Sequence, residues 1–380
     1  MTNKKDCCGC TACLNVCPVK CITMQEDEEG FLYPVIEKEK CIHCHKCEKV
    51  CPVQNTDCLN SKTETFVGYS RDEDIRMQSS SGGIFSVSAE WILQQSGVVF
   101  GAAFDENFEV HHIAIETKKE LVKLRGSKYV QSRLENVYPE VKQYLEKKRK
   151  VLFTGTACQV AGLKRYLNKE YDNLFAIDVL CHGVPSPKIW RMYLEEKKKQ
   201  HHTSIEKIEF RNKENGWKNY SMKISFSNVQ PYCVHFFEDK FMRMFLYNID
   251  LRPSCYACHF KEFPRESDMT IGDSWGIEKY MPDMDDDKGT SVILVHSSNG
   301  EKLFKAIRNS LIVREAKLDE VTADSRKSVE MHPNRKKYLE GVKRGESIDL
   351  LYGYLQKTFI QKVVSLMRCI LIRINPKYKE

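Results

Sequence analysis

No run of about 18 apolar residues occurs in these 380 residues, so no membrane-spanning helix is expected. The start, Met1-Thr2-Asn3-Lys4-Lys5-Asp6, lacks the apolar segment of a secretory signal. The expected compartment is therefore a reducing cytoplasm, where cysteines more often bind metal than form bridges. There is no zinc finger, RNA-recognition signature or basic–aromatic stripe, and the formal net charge of +7 is modest. Nucleic acid is not an expected partner. Low-complexity blocks are absent. From Leu350 to Lys379 there is no acidic residue, and apolar side chains interleave with Lys357, Lys362, Arg368 and Arg373. A basic amphipathic helix of this kind suits the inner face of an anionic membrane, or packing on a core or partner.

What the chain has in quantity is cysteine, 17 in all. Eight of them repeat one spacing: Cys7, Cys10, Cys13, Cys17-Pro18 and Cys41, Cys44, Cys47, Cys51-Pro52. Each run reads C-x2-C-x2-C-x3-C-P, the spacing that holds [4Fe–4S] clusters in bacterial ferredoxins, with the fourth cysteine crossing to the other cluster. The expected ligand sets are Cys7, Cys10, Cys13 and Cys51 for one cluster and Cys41, Cys44, Cys47 and Cys17 for the second. Zinc sites use four ligands, usually as two separated C-x2-C pairs, and fit two complete runs poorly. Cys8, Cys21 and Cys58 fall outside the repeat and read as packing or free thiols. Cys233 and Cys369 have no motif around them.

The composition, 42% hydrophobic and 29% charged, is that of a globular protein of two or three domains. The expected fold is an α+β ferredoxin-like domain over residues 1–60, then a larger α/β flavin-binding domain with a mixed sheet over 66–325. A basic helical tail over 326–380 would follow. A short hairpin at Gly30–Ile36 would cover the clusters, and the polar residues 59–65 make a linker. Strands are expected at Phe66–Tyr69, Val98–Phe104, Phe108–Ile115, Val151–Phe153, Leu174–Leu180, Ile205–Phe210, Tyr220–Phe226 and Ser291–His296. Helices are expected at Ile84–Gln95, Gln159–Leu167 and Gly300–Asn309. Strands alternating with helices imply a sheet flanked by helices.

Several segments carry candidate chemistry. Ser79-Ser80-Ser81-Gly82-Gly83 precedes a helix and could cradle an anion such as a cofactor pyrophosphate, or be a loop with an N-cap serine. Thr154-Gly155-Thr156 lies between a buried strand and a helix, where open α/β sheets bind ligands. Arg125 to Ser132 could clamp a flavin or form a surface turn. Cys255-x2-Cys258 is a second metal-type pair. Cys158 and Cys181 each follow a core strand, so these four could hold a third [4Fe–4S] cluster or zinc, or be unrelated buried thiols. Asp273 and Trp275 could orient and pack on a cofactor ring, or build a turn. His182 could donate a proton or be structural. Asp283, Asp285, Asp286 and Asp287 lack the EF-hand glycine and glutamate and read as a solvated loop.

Taken in order, Ser80-Ser81-Gly82-Gly83, Gly126 to Ser132, Gly155 to Leu163, Cys181 to Ser186, Cys255-Tyr256-Ala257-Cys258 and Gly272 to Gly276 resemble the coenzyme F420 hydrogenase/dehydrogenase beta-subunit family. The version resembled carries an N-terminal two-cluster ferredoxin domain. The shared motifs cover roughly residues 1–280 and are similar to those of 7-hydroxymethyl chlorophyll a reductase. The resemblance implies FAD, a third cluster on Cys158, Cys181, Cys255 and Cys258, and a flavin bordered by the serine–glycine and threonine–glycine loops. The residues so implied are Ser80, Ser81, Gly82, Gly83, Gly126, Ser127, Lys128, Tyr129, Gln131, Ser132, Thr154, Gly155, Thr156, Gln159, Gly272, Asp273 and Trp275. His182 and Lys128 are the candidate catalytic side chains. Ala157 departs from the family, which usually has proline there.

The expected activity is an iron–sulfur flavoprotein oxidoreductase that passes electrons between clusters and FAD, and on to coenzyme F420 or another small acceptor. A non-catalytic electron-transfer subunit and a binding or assembly protein with structural zinc are the alternatives. Expected partners are ferredoxin or another redox protein and a small-molecule donor or acceptor, with a homo-oligomer left open.

Overall fold

A computed structural model describes residues 3–55, 62–322 and 325–356. The N-terminal unit holds two short helices, Ala12–Val16 and Lys46–Lys49, and an antiparallel hairpin, β1 (Ile22–Glu26) and β2 (Leu32–Ile36). Its two cysteine loops share a backbone conformation. Gly9 and His43 both have positive φ (71° and 52°), as do Thr11 and His45 (62° and 56°). The repeated spacing is thus a repeated loop geometry.

The larger unit is built on eight strands: β3 (Glu64–Ser70), β4 (Val98–Phe104), β5 (Val110–Ile115), β6 (Val151–Thr156), β7 (Leu174–Val179) and, further on, three more. Before those come β8 (Ile205–Asn212), β9 (Ser221–Phe226) and β10 (Val229–His235), which form a separate antiparallel sheet in the order β10-β9-β8. The main sheet is completed by β11 (Met269–Asp273), β12 (Ser291–Val295) and β13 (Leu311–Glu315), in the order β13-β3-β12-β11-β7-β6-β4-β5. Its centre, β4-β6-β7-β11, is parallel; the flanking pairings are antiparallel.

The parallel strands are apolar on both sides because helices cover both faces. Side chains alternate across the pleat. Val99, Leu152, Phe175 and Ile177 pack with helices Ile84–Gln94 and Ser298–Ile307. Val98, Phe100, Val151, Phe153, Leu174 and Ala176 pack on the other face with helices Val137–Glu146 and Ala157–Leu167. Asp178 interrupts the apolar run of β7. It is fully buried and meets Arg265 at 3.1 Å. Removing one partner of a buried pair strands the other charge. Asp178→Ala is expected to lower stability by roughly 3–5 kcal/mol, read by denaturant unfolding against wild type.

One expectation changes and another is refined. The tail is not separate from the larger unit as far as it is described. Tyr338, Val342, Ile348, Leu351 and Leu355 are buried in the core that also holds Trp190, Phe210 and Phe241. Apolar faces on helices Arg335–Arg344 and Ile348–Gly353 complete that core, and the boundary at 325 marks where motifs end rather than where packing does. Lys357, Lys362, Arg368 and Arg373, on which the membrane reading rested, lie outside the described residues, as do Cys58 and Cys369. The acidic run faces solvent at Asp283 and Asp286, as expected of a surface loop, but it is also braced by cations. Asp286 pairs with the buried Arg76 at 2.5 Å, Asp285 with Lys218 at 2.5 Å, and Asp283 with Arg314 at 2.8 Å, while Asp287 accepts from the Lys218 N–H. Among the described residues no helix is long and apolar enough to cross a membrane.

Candidate functional site

The carboxyl ends of the parallel strands converge, as open α/β sheets bring together their loops. Thr154, Gly155 and Thr156 end β6, Cys181 and His182 follow β7, and Gly272 and Asp273 end β11. Between them lies a cavity of about 440 Å³, walled also by Ser80, Ser81, Gly83, Gly126, Ser127, Lys128, Tyr129, Ser132, Gln159 and Trp275. Of the residues expected to border a flavin, Gly82 and Gln131 are not in its wall. Gly82 is a packing residue: its N–H donates to Ser291 Oγ (2.9 Å), and a Cβ there would stand 2.6 Å from the Gly68 carbonyl. Gln131 faces the N-terminal unit instead, where its Nε2 donates to the Cys8 carbonyl at 3.0 Å.

The wall is internally braced. Ser80 Oγ accepts from the Ser127 N–H (2.7 Å), tying the serine–glycine loop to the Gly126–Ser127 turn. The Gly83 N-cap opens helix Ile84–Gln94 at the same edge. Lys128 lines the cavity yet lies deep enough that burial pushes its pKa down to about 7. Its Nζ donates to the carbonyls of Leu124, Arg125 and Gly126 at 3.2–3.3 Å, so it shapes this loop as well as charging it. Asp273 accepts from Arg211 (2.9 and 3.2 Å) and from Trp217 Nε1 (2.8 Å). Arg211 is buried and also donates to Tyr129 Oη at 3.1 Å.

A chain of hydrogen bonds orders the β6 end. Gln159 Nε2 donates to Ser132 Oγ (3.0 Å), which pairs with His112 Nδ1 (2.9 Å); His112 Nε2 donates to the Thr154 carbonyl (2.9 Å). Burial lowers the His112 pKa from 6.5 to about 4. The unfolded chain therefore binds more protons between pH 6.5 and 4, and stability falls as pH falls through that window. This one residue is expected to account for about 2 kcal/mol of lost stability between pH 7 and 5. Denaturant titrations at the two pH values should show a smaller loss in His112→Gln than in wild type.

A second cavity, about 40 Å³, adjoins the first and shares Thr156, Gln159, Cys181, His182, Gly183 and Val184 with it. Cys158, Cys181, Cys255 and Cys258 all line it. Burial pushes Cys181 up to about 12 and raises the other three as well, with a neighbouring Cys8 contact the larger cause for Cys158. Lys261 Nζ donates to the carbonyls of Cys181 and His182. Among the described residues no three His, Cys, Asp or Glu side chains close on one point as a single metal ion requires. The four thiols share the wall of this one cavity. His182 donates Nε2–H to Asn248 Oδ1 (2.6 Å) and sits edge-on to Phe245.

The N-terminal unit docks against this second cavity through its first cysteine loop. Cys8, read above as a packing thiol, forms part of the cavity wall. Arg252, 1% exposed, donates to the Cys7 carbonyl (2.7 Å), the Leu32 carbonyl (3.0 Å) and Gln131 Oε1 (2.8 Å). Its guanidinium lies 4.2 Å from the Tyr33 ring centre. Glycine suits position 9: its φ is 71°, and a Cβ would stand 2.9 Å from both Arg252 Nη1 and Gln131 Nε2, so those side chains would have to shift. The second loop points outward, with Ile42, His43, Cys44 and His45 exposed. Burial, with the Cys7, Cys51 and Cys47 thiols adding to it, pushes Cys13 up to about 12. Cys21 Sγ lies 3.4 Å from Cys17 Sγ. Sequence reasoning missed Arg252, Arg211 and His112. Arg252 alone had a local signal, standing three residues ahead of Cys255.

Comparison with known proteins agrees in kind. The model for the amino-terminal part of the coenzyme F420 hydrogenase/dehydrogenase beta subunit matches residues 65–138, and the model for its carboxyl-terminal part matches residues 148–321. A 4Fe–4S dicluster domain matches residues 6–55. Among solved structures, a chain of the xenon-derivatised F420-reducing [NiFe] hydrogenase complex from Methanosarcina barkeri is similar at 17% identity and a TM-score of 0.49, covering 74% of this chain and 93% of that one. No curated protein matches. With its N- and C-terminal regions both matched in order behind a dicluster domain, the chain belongs to the coenzyme F420 hydrogenase/dehydrogenase beta-subunit family.

Proposed function

We propose that this protein is an iron–sulfur flavoprotein that moves electrons between three [4Fe–4S] clusters and FAD, and between FAD and coenzyme F420 or another small molecule. The observation that carries this reading is the adjacency of the four-cysteine cavity to the larger cavity, with Cys181 and His182 in both walls. Bound flavin would exchange single electrons with clusters and pairs of electrons with an organic acceptor.

The residues suit these groups. The Ser80 hydroxyl, whose oxygen already accepts from the Ser127 N–H, and the start of helix Ile84–Gln94 offer a donor and a positive helix end to a pyrophosphate. Lys128 borders the same loop, where a bound anion would favour its charged form. Tyr129 and Trp275 offer ring faces, and 440 Å³ is within the usual range for a ligand cavity. Cys158, Cys181, Cys255 and Cys258 would hold the third cluster. Arg252 and Gln131 hold the first cysteine loop against it, and the exposed second loop is the natural entry for ferredoxin or another redox protein.

Anaerobic purification with iron, sulfide, zinc and flavin assays tests the reading. It expects about 12 irons, from three clusters of about four, and one FAD per chain. Stoichiometric zinc without flavin would sink it. A second reading, an electron-transfer subunit without substrate chemistry of its own, is favoured by that outward second loop. It predicts that the isolated, flavin-loaded chain exchanges electrons with ferredoxin but turns over no small acceptor.

A further inference from the structure

Three large aromatic side chains stand exposed among the described residues: Phe237 (50%), Tyr247 (44%) and Trp275 (49%). All three wall one open cleft of about 640 Å³. Exposed apolar rings gathered in one place mark a binding surface. Each ring is fixed from behind. Trp275 stacks on the buried Trp217 at 4.5 Å and 3°. Phe237 packs on Phe236 at 4.4 Å, and Phe236 stacks on Tyr220 at 4.3 Å and 12°. Arg243 lies 5.5 Å from the Tyr247 ring centre. The rings are therefore preorganised, which reduces the ordering cost of binding.

The cleft is not closed off from the interior. Tyr220, Leu246 and Trp275 belong both to it and to the 440 Å³ cavity, so a molecule lying among the rings reaches the proposed flavin site. That continuity favours a small ligand over a protein surface. Charge narrows its class. The charged side chains in the wall are Lys218 and Glu278, which pair at 3.3 Å, and Lys218 also meets Asp285 at 2.5 Å. Arg211, beneath Trp275 at 5.0 Å from its ring, is held by Asp273. Among the described residues no cation in this wall is free to hold a phosphate or a polycarboxylate tail.

We propose that the cleft takes a neutral, planar, conjugated acceptor, of which a quinone is the simplest representative. The proposal rests on the flavoprotein reading for its electron supply. Two electrons from two equivalents of reduced ferredoxin, passed through this chain, and two protons from solvent convert the quinone to its quinol.

The test is titration of the anaerobically purified holoprotein with duroquinone, whose fully substituted ring resists thiol addition, followed by tryptophan fluorescence. Saturable quenching is expected, and the double variant Phe237→Ser, Tyr247→Ser should bind about tenfold more weakly while keeping its far-UV circular dichroism. NAD+ should not compete. Equal affinity in wild type and variant, or tighter binding of NAD+ at the same rings, would overturn the proposal. Iron and flavin are assayed on the same samples. Ring-dependent quenching without flavin would leave the cleft standing and remove the flavoprotein reading, and flavin without quenching would do the reverse.

Discussion

Cys255→Ala is expected to lower the iron content from about 12 to about eight atoms per chain while leaving the N-terminal clusters in place. Cys255 sits in the 3-10 turn Pro253–Ala257, in the wall of the four-cysteine cavity, and belongs to neither ferredoxin repeat. Truncating a buried thiol to a methyl removes one heavy atom, a loss of about 1 kcal/mol that the fold should survive. The variant therefore separates ligation from packing. Loss of one third of the iron with unchanged circular dichroism means that Cys255 holds a cluster. Unchanged iron would mean that the four thiols are only core residues, and replacement of iron by one zinc would favour the structural-metal alternative. The same variant should no longer pass electrons from reduced ferredoxin to flavin, because the cavity it lines is the one between the first cysteine loop and the larger cavity.

The second large effect is expected at Gly162. Glycine inside a helix ordinarily costs about 0.5–1 kcal/mol relative to alanine, so Gly162→Ala in helix Ala157–Leu167 would normally stabilise. Here the sign should reverse. A Cβ at this position would stand 2.8 Å from Cys10 Cβ, 2.9 Å from Cys10 Sγ and 2.8 Å from Tyr138 Oη. Neither neighbour is free to move: Cys10 belongs to a proposed ligand set, and Tyr138 Oη donates to the Gln159 carbonyl at 2.7 Å. Overpacking of this kind costs roughly 1–3 kcal/mol. We expect Gly162→Ala to lower the unfolding midpoint and to speed proteolytic release of the N-terminal unit. A raised midpoint would mean that the first loop does not dock where it is described.

The cluster loops were legible because their chemistry is local. Cys7 to Pro18 and Cys41 to Pro52 each carry four cysteines within a dozen residues, and the shared left-handed positions at Gly9/His43 and Thr11/His45 accompany the same spacing. The main strands were legible for a related reason: Val151–Phe153 and Leu174–Ile177 are apolar without a break, as doubly covered parallel strands must be. What could not be read was which way each part faces. Gly9 and His43 occupy equivalent places, yet only Gly9 meets Arg252. The Arg252 bond to the Cys7 carbonyl beside it joins residues 245 apart, and no period in the chain announces it. Gln131 sits in a motif whose neighbours line the larger cavity, but its side chain turns to the Cys8 carbonyl. The bracing of the acidic run from Asp283 to Asp287 was not legible because its cations, Arg76, Lys218 and Arg314, come from distant segments. β10 (Val229–His235) was missed since its burial pattern is mostly exposed, without the inward alternation that marks a strand.

The central claim is that one chain connects its N-terminal clusters to a flavin through the cavity of Cys158, Cys181, Cys255 and Cys258. Stopped-flow mixing of the anaerobic, flavin-loaded protein with reduced ferredoxin tests it directly. The account predicts that cluster absorbance bleaches first and flavin absorbance follows in wild type, whereas in Cys255→Ala the N-terminal clusters bleach and the flavin stays oxidised. Flavin reduction at the same rate in both proteins would contradict it.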